Sequence, residues 1–138
     1  MIRDALFVLV GGSLGALARY GVGLVFPHTP GKHFPIATLV VNLVGCLLIG
    51  MIGQALQRFA ADASVKPNPP EILLVDFLRH AVIVGFLGGL TTFSAFGWDT
   101  TRLFLDEQPL LGLANIGANV VAGLFAVWVG IVVVKIWS

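Results

Sequence analysis

Charge is what this sequence has least of. Only 11% of its 138 residues are Asp, Glu, Lys or Arg, about half the usual share for a soluble domain, while 57% are hydrophobic. Such a chain cannot cover its own surface with polar side chains in water, which excludes an ordinary soluble globule. The formal net charge of +1 carries no basic footprint, so no nucleic acid is expected as a partner. Cysteine is nearly absent. Cys46 stands alone inside an apolar run, can form no intrachain disulfide, and reads as a small apolar filler. No carboxylate is clearly placed at mid-membrane, and no Ser-His-Asp set, metal-ligand cluster or nucleotide loop occurs. No span carries histidines at facing depths, which argues against a haem-anchoring subunit. An enzyme is therefore not expected.

Long apolar runs are what the chain does have. A membrane helix takes about 20 mostly apolar residues, so four of them use roughly 80 positions and leave short loops. Hydropathy divides the sequence into spans at about 2–26, 36–59, 72–105 and 109–137. The expected fold class is an all-α membrane protein, with residues 1–138 forming one four-helix transmembrane domain and no soluble appendage of useful size. Arg3 followed by an apolar run and small residues imitates a secretory signal peptide. Gly11 and Gly12 interrupt that run, however, and the apolar stretch resumes after Arg19, which favours a true first span. Pro27 to Pro35 and Ala60 to Glu71 have the proline-rich composition of interfacial loops, and Lys135 and Trp137 stand like interfacial anchors.

The third span is not expected to be one helix. Its middle reads Gly88-Gly89-Leu90-Thr91-Thr92-Phe93-Ser94, rich in helix-weakening and hydroxyl-bearing residues. A helical half to about Gly89, a break, and a second half ending near Leu105 follow; on local sequence alone a merely kinked helix remains the alternative. Irregular backbone at membrane depth is tolerated where protein or a wet cavity surrounds it, and its loose carbonyls and amides are ion ligands. Small residues at Ala118, Ala122, Ala126 and Gly130, and at Gly11 and Gly15, mark close-packing helix faces.

Each intramembrane polar residue asks for a reason. Thr38 and Asn42 lie one turn apart on the second span, and Asn115 and Asn119 one turn apart on the fourth, with Gly123 extending that face. With Thr91, Thr92 and Ser94 they form a set of neutral hydrogen-bond donors, which suits an anion better than a cation. Phe93 and Phe96 stand three apart beside the break, and a ring turned edge-on meets a small anion favourably. Interhelical glue is the plainer reading of each Asn, and core or lipid contact of each Phe; the combination is what points to an anion path. Arg19 either snorkels to the interface or raises the potential of an anion vestibule. Asp99 and Arg102, three apart, are expected to pair, and His80 and Asp76 to be solvated near a helix end. Basic residues number five on the side of the termini (Arg3, Arg58, Lys66, Arg79, Lys135) against three on the other (Arg19, Lys32, Arg102), too thin a bias to set one orientation.

Three stretches resemble the Fluc/CrcB family of fluoride channels, over nearly the whole chain. They are Gly11-Gly12-Ser13-Leu14-Gly15-Ala16-Leu17-Ala18-Arg19-Tyr20, Thr38-Leu39-Val40-Val41-Asn42-Leu43-Val44-Gly45, and Gly85-Phe86-Leu87-Gly88-Gly89-Leu90-Thr91-Thr92-Phe93-Ser94-Ala95-Phe96. The resemblance implies a passive fluoride-selective channel of the inner membrane that relieves fluoride toxicity, built as an antiparallel, dual-topology homodimer with two pores. It implies a fluoride pathway of Asn42, Phe93 and Phe96, with Thr38, Ser94, Asn115 and Asn119 along it. It also implies a central structural sodium ion on the backbone carbonyls of Gly88 and Thr91. Ala37, Ala95 and Asp99 depart from the residues usual in the family, as do Asn115, Asn119 and Gly123 on the polar track. The competing readings are a small multidrug-type cation/proton antiporter, which needs an acid deep in the first span where this chain has Asp4 at the extreme end, and a non-transporting scaffold subunit.

Overall fold

The computed structural model describes residues 1–27, 33–61 and 68–137. The expected interfacial loops, with Lys32 and Lys66, lie largely outside the described residues. Among those described there are helices and no strands. Helix α1 is Ile2–Val25 and α2 is Ile36–Ala61. Helix α3 opens as Pro69–Phe77, widens to π winding over Leu78–Leu87, and closes with the turn Gly88–Leu90. Helix α4 is Phe93–Leu105. Helix α5 runs through Pro109–Gly117, a π-wound Ala118–Ala122, and Gly123–Ile136. Among the described residues, four stretches are long and apolar enough to cross a membrane: Ile2–Val25, Ile36–Phe59, Pro69–Leu105 (α3 and α4 together) and Pro109–Ile136. The chain is a multi-pass membrane protein.

Helix ends follow local chemistry. Helix α3 begins at Pro69, earlier than hydropathy suggests, because Asn68 caps it. The Asn68 side chain accepts from Glu71 N at 3.1 Å, Glu71 Oε2 accepts from Asn68 N at 2.8 Å, and prolines occupy the first two helical positions, where no amide is needed. Between α4 and α5 the chain reverses through Glu107 at φ 60°, and Pro109 starts α5. Asp76 is not left to solvent: Arg3 pairs with it and with Asp4, tying the start of α1 to α3, and His80 Nδ1 lies 2.9 Å from Asp76 O.

Two helix pairs form the frame, α1 against α3 and α2 against α5. Both meet backbone to backbone at glycine. A Cβ on Gly11 would collide with Ala81 O and one on Gly15 with Phe86 O, while a Cβ on Gly85 would lie 2.9 Å from Val8 O. On the other pair, a Cβ on Gly50 would strike Val127 O and one on Gly130 would strike Leu47 O. The expected small-residue faces of the first and fourth spans thus contain the tight contacts. Val41, Leu87 and Leu90 are buried where the pairs meet, with Val22, Ile49 and Phe86 packed around them. Most other large apolar side chains, such as Leu9, Leu17, Leu124 and Phe125, point outward, as they do when lipid is the solvent.

Gly50→Ala is expected to destabilise by about 1–3 kcal/mol, the usual cost of overpacking. Gly53→Ala on the same helix places its methyl with nothing within 4 Å, and should be neutral or stabilising by up to about 1 kcal/mol. Thermal unfolding of detergent-purified protein, followed by tryptophan fluorescence, distinguishes the pair.

Candidate functional site

The third span is broken rather than kinked. Thr91 (φ −79°, ψ 155°) and Thr92 (φ −151°, ψ 110°) are both extended between α3 and α4. Thr91 stays tied to the helix behind it, since its N–H and its hydroxyl both donate to Leu87 O, at 3.0 and 2.9 Å. Thr92 belongs to the helix ahead, its Oγ1 accepting from Ala95 N at 3.1 Å as an N-cap. Gly45 of α2 leaves the space that the Thr91 methyl fills, for a Cβ there would collide with Thr91 Cγ2.

The break frees the Thr92 amide, and α2 meets it. Thr92 N donates to Asn42 Oδ1 at 2.9 Å, and Asn42 Nδ2 lies 3.4 Å from Thr92 O. The amide of Asn42 then donates to Asn119 Oδ1 at 2.8 Å, and Asn119 Nδ2 donates to Asn115 Oδ1 at 2.9 Å and Asn115 O at 3.0 Å. Asn115 Nδ2 donates to Thr100 Oγ1 at 2.8 Å, and the Thr100 hydroxyl donates to Phe96 O at 2.7 Å. A polar track therefore leaves the break, crosses α2 and α5, and returns to α4.

Beside the break lies a cavity of about 430 Å³. Asn42, Thr91, Thr92, Phe93, Phe96 and Asn119 line it, together with Gly45, Cys46, Gly88 and apolar residues of α2, α3 and α5. Among the described residues, no carboxylate lines it. The Phe93 and Phe96 rings are 5.5 Å apart and inclined at 53°. Phe96 is 9% exposed, whereas Phe93 is 83% exposed on the single chain.

The remaining sequence candidates fall into distinct surroundings. Ser94 is exposed, with its hydroxyl 3.2 Å from that of Thr92. Asn115 is 0% exposed and lies behind the cavity rather than in its wall. Arg19 turns toward the break, its Nη1 3.4 Å from Thr91 O. Thr38 is buried and donates to Asp99 Oδ2 at 3.0 Å. The expected pairing of Asp99 with Arg102 gives way accordingly: Asp99, 4% exposed, turns inward to Thr38, and Arg102 pairs at 3.1 Å with Asp106, one turn on at the exposed helix end. Thr100 and the Thr92 backbone amide were not among the sequence candidates. Thr100 lies one turn after Phe96 on the same face, and that spacing was the signal available.

A family described as CrcB-like protein, Camphor Resistance (CrcB), matches residues 6–131. A protein of Azotobacter vinelandii named fluoride-specific ion channel FluC is 44% identical over 138 residues, 99% of this chain and 100% of its own length. Proteins of the same name from Pseudomonas fluorescens and Stutzerimonas stutzeri are 42% and 38% identical, each over 99% of this chain and 100% of their own.

Asn42→Ala should strand the Thr92 N–H at membrane depth and destabilise by about 1–3 kcal/mol, the cost of an unsatisfied buried donor. Ser13→Ala, which removes only a hydroxyl bonded to Leu9 O one turn earlier on α1, should leave the melting temperature nearly unchanged. Equal melting curves for the two variants would show that Asn42 does not hold the break.

Proposed function

The chain belongs to the CrcB-like family, and on that footing we propose that it is a fluoride-selective channel, passing fluoride passively across the plasma membrane and so relieving its toxicity. One observation carries the reading: the broken helix, Asn42, Asn119 and two phenylalanines converge on a single cavity walled by neutral donors. The full-length relatives bearing the fluoride-channel name support it. A channel is not an enzyme. The antiporter and scaffold readings find no support among these relatives, and neither explains why the break, Asn42 and the rings share one cavity.

Fluoride is small and strongly hydrated, so a selective path must replace its water with several close donors. Amide groups of Asn42 and Asn119, hydroxyls at Thr92 and Ser94, and the ring edges of Phe93 and Phe96 can do so without a fixed negative charge. These amides are already hydrogen-bonded to one another. An entering anion must compete for donors in use, which keeps its binding weak enough for release. Asn115 stands behind the wall and steadies Asn119, Thr38 is held against Asp99 one turn from Asn42, and Arg19, with Nη1 3.4 Å from Thr91 O, supplies positive potential beside the break.

The assembly we propose is an antiparallel homodimer. Gly88 and Ser94 flank irregular backbone yet are exposed on the single chain, and lipid cannot satisfy such a surface. A second copy against the break would cover it and bring Phe93 into protein surroundings. The thin charge bias is compatible with both insertions.

The break also fits a sodium ion. Thr92 N–H, which would otherwise close a helical bond onto Gly88 O, is taken by Asn42. Thr91 O has a long 3.4 Å contact with Arg19, and unwound neutral carbonyls of this kind suit a hard monovalent cation. The Gly88 and Thr91 carbonyls of both copies would hold it, and when bound it would supply a fixed positive charge that pins the break.

In liposomes, Phe93→Ile and Phe96→Ile should each cut fluoride efflux by roughly two- to tenfold, the scale of one lost aromatic contact, while still purifying as folded protein. Wild-type efflux from either would remove the aromatic role. Exchanging sodium for N-methylglucamine should lower the melting temperature, as loss of a native-state ligand does; no change on exchange would remove the cation from the assembly.

A further inference from the structure

We infer that Thr100 is a positioning residue that holds the Asn115 amide and, through it, Asn119 in place, and thereby supports the selectivity of the path. The inference rests on the fluoride-channel reading. Thr100 does not line the cavity; it is 8% exposed and stands behind Asn115. It acts at a distance.

An asparagine amide can be turned end for end, exchanging an acceptor for two donors at nearly the same volume. The partners of the row choose its direction: Asn119 Nδ2 also donates to the Asn115 backbone carbonyl at 3.0 Å, and both ends are fixed. At one end stands a backbone N–H, Thr92, which can only donate. At the other stands a backbone carbonyl, Phe96 O, which can only accept. Five bonds lie between them, and every one donates in the same sense: Thr92 to Asn42, Asn42 to Asn119, Asn119 to Asn115, Asn115 to Thr100, Thr100 to Phe96. Aligned bonds of this kind polarise and strengthen one another.

Thr100 is where side-chain direction is handed to the backbone. Its hydroxyl accepts from Asn115 at 2.8 Å and donates to Phe96 O at 2.7 Å, and without it the fully buried Asn115 NH2 loses that acceptor. Asn42 and Asn119 stand in the cavity wall, and an anion there draws on their amide hydrogens in competition with the bonds already made. With the Thr100 hydroxyl lost, the Asn115 NH2 has no acceptor; as that amide turns to find one, its Oδ1 leaves Asn119, which keeps only the Asn115 backbone carbonyl as its acceptor. An anion then meets a donor that is no longer held in one place. The same hydroxyl also ties α4 to α5 one turn below the Phe96 ring.

The test compares the full-length wild type with Thr100→Val, which keeps the shape and removes the hydroxyl, and Thr100→Ser, which keeps the hydroxyl. Each is reconstituted in liposomes, and fluoride efflux and the fluoride-to-chloride permeability ratio are measured per folded protein. Thr100→Ser should retain the wild-type ratio. Thr100→Val should lose about tenfold in the ratio, the scale of one lost buried hydrogen bond. Should Thr100→Val fail to purify, Thr100→Cys, whose thiol donates and accepts weakly, should fall between wild type and that loss. A purely structural role would lower the melting temperature and leave the ratio alone, and an unchanged ratio in the valine or cysteine variant overturns the inference while the channel reading stands. A wild type that passes no fluoride removes the channel reading and this inference with it.

Discussion

One hydrogen bond governs the interior of this molecule, from the Thr92 amide to Asn42 Oδ1 at 2.9 Å. Thr91 and Thr92 are extended, so the helical ladder stops there and a backbone donor is left at a depth where water is scarce. Leaving it unmet would cost about 1–3 kcal/mol. Asn42 meets it, and in doing so commits its own oxygen. Its amide hydrogens must then find Asn119, and Asn119 must find Asn115. The polar track is the consequence of one missing helical bond, propagated from partner to partner.

Such a track needs walls that do not yield. The glycine contacts supply them. Where Gly11 and Gly15 meet the α3 backbone, and Gly50 and Gly130 bring α2 onto α5, the helices touch with no side chain between them. Distances between opposed backbones are then set by hard contact rather than by adaptable side chains. The break and Asn42, carried on different helix pairs, are held in register by this frame. The buried meeting of Val41, Leu87 and Leu90 joins the two pairs just behind the site.

Much of this was legible in the residues. Apolar run length marks the spans, and Gly88 to Ser94 marks the break, because glycine and hydroxyl side chains weaken a helix through local physics. Asn42 and Asn119 stand out as costly in lipid, which is again a property of each residue alone. What stayed hidden depends on partners distant in the chain. That Asp99 turns to Thr38 instead of Arg102, and that Thr100 anchors Asn115, are facts of tertiary placement. Spacing along α4 shows which residues share a face but not which face is dry. The start of α3 at Pro69 was obscured for another reason: prolines suggest a loop by composition, yet at the first helical positions they favour the helix.

The wide winding of α3 also has a consequence for depth. Pro69 to Leu90 wound as an ordinary helix at about 1.5 Å per residue would reach roughly 33 Å, enough to carry the break across the whole hydrocarbon layer of about 30 Å. A coil that takes more residues into each turn climbs less with each of them. The stretch Leu78–Leu87 therefore shortens the climb, like a spring wound to larger diameter, and sets Thr91 and Thr92 closer to Pro69 than an ordinary helix would.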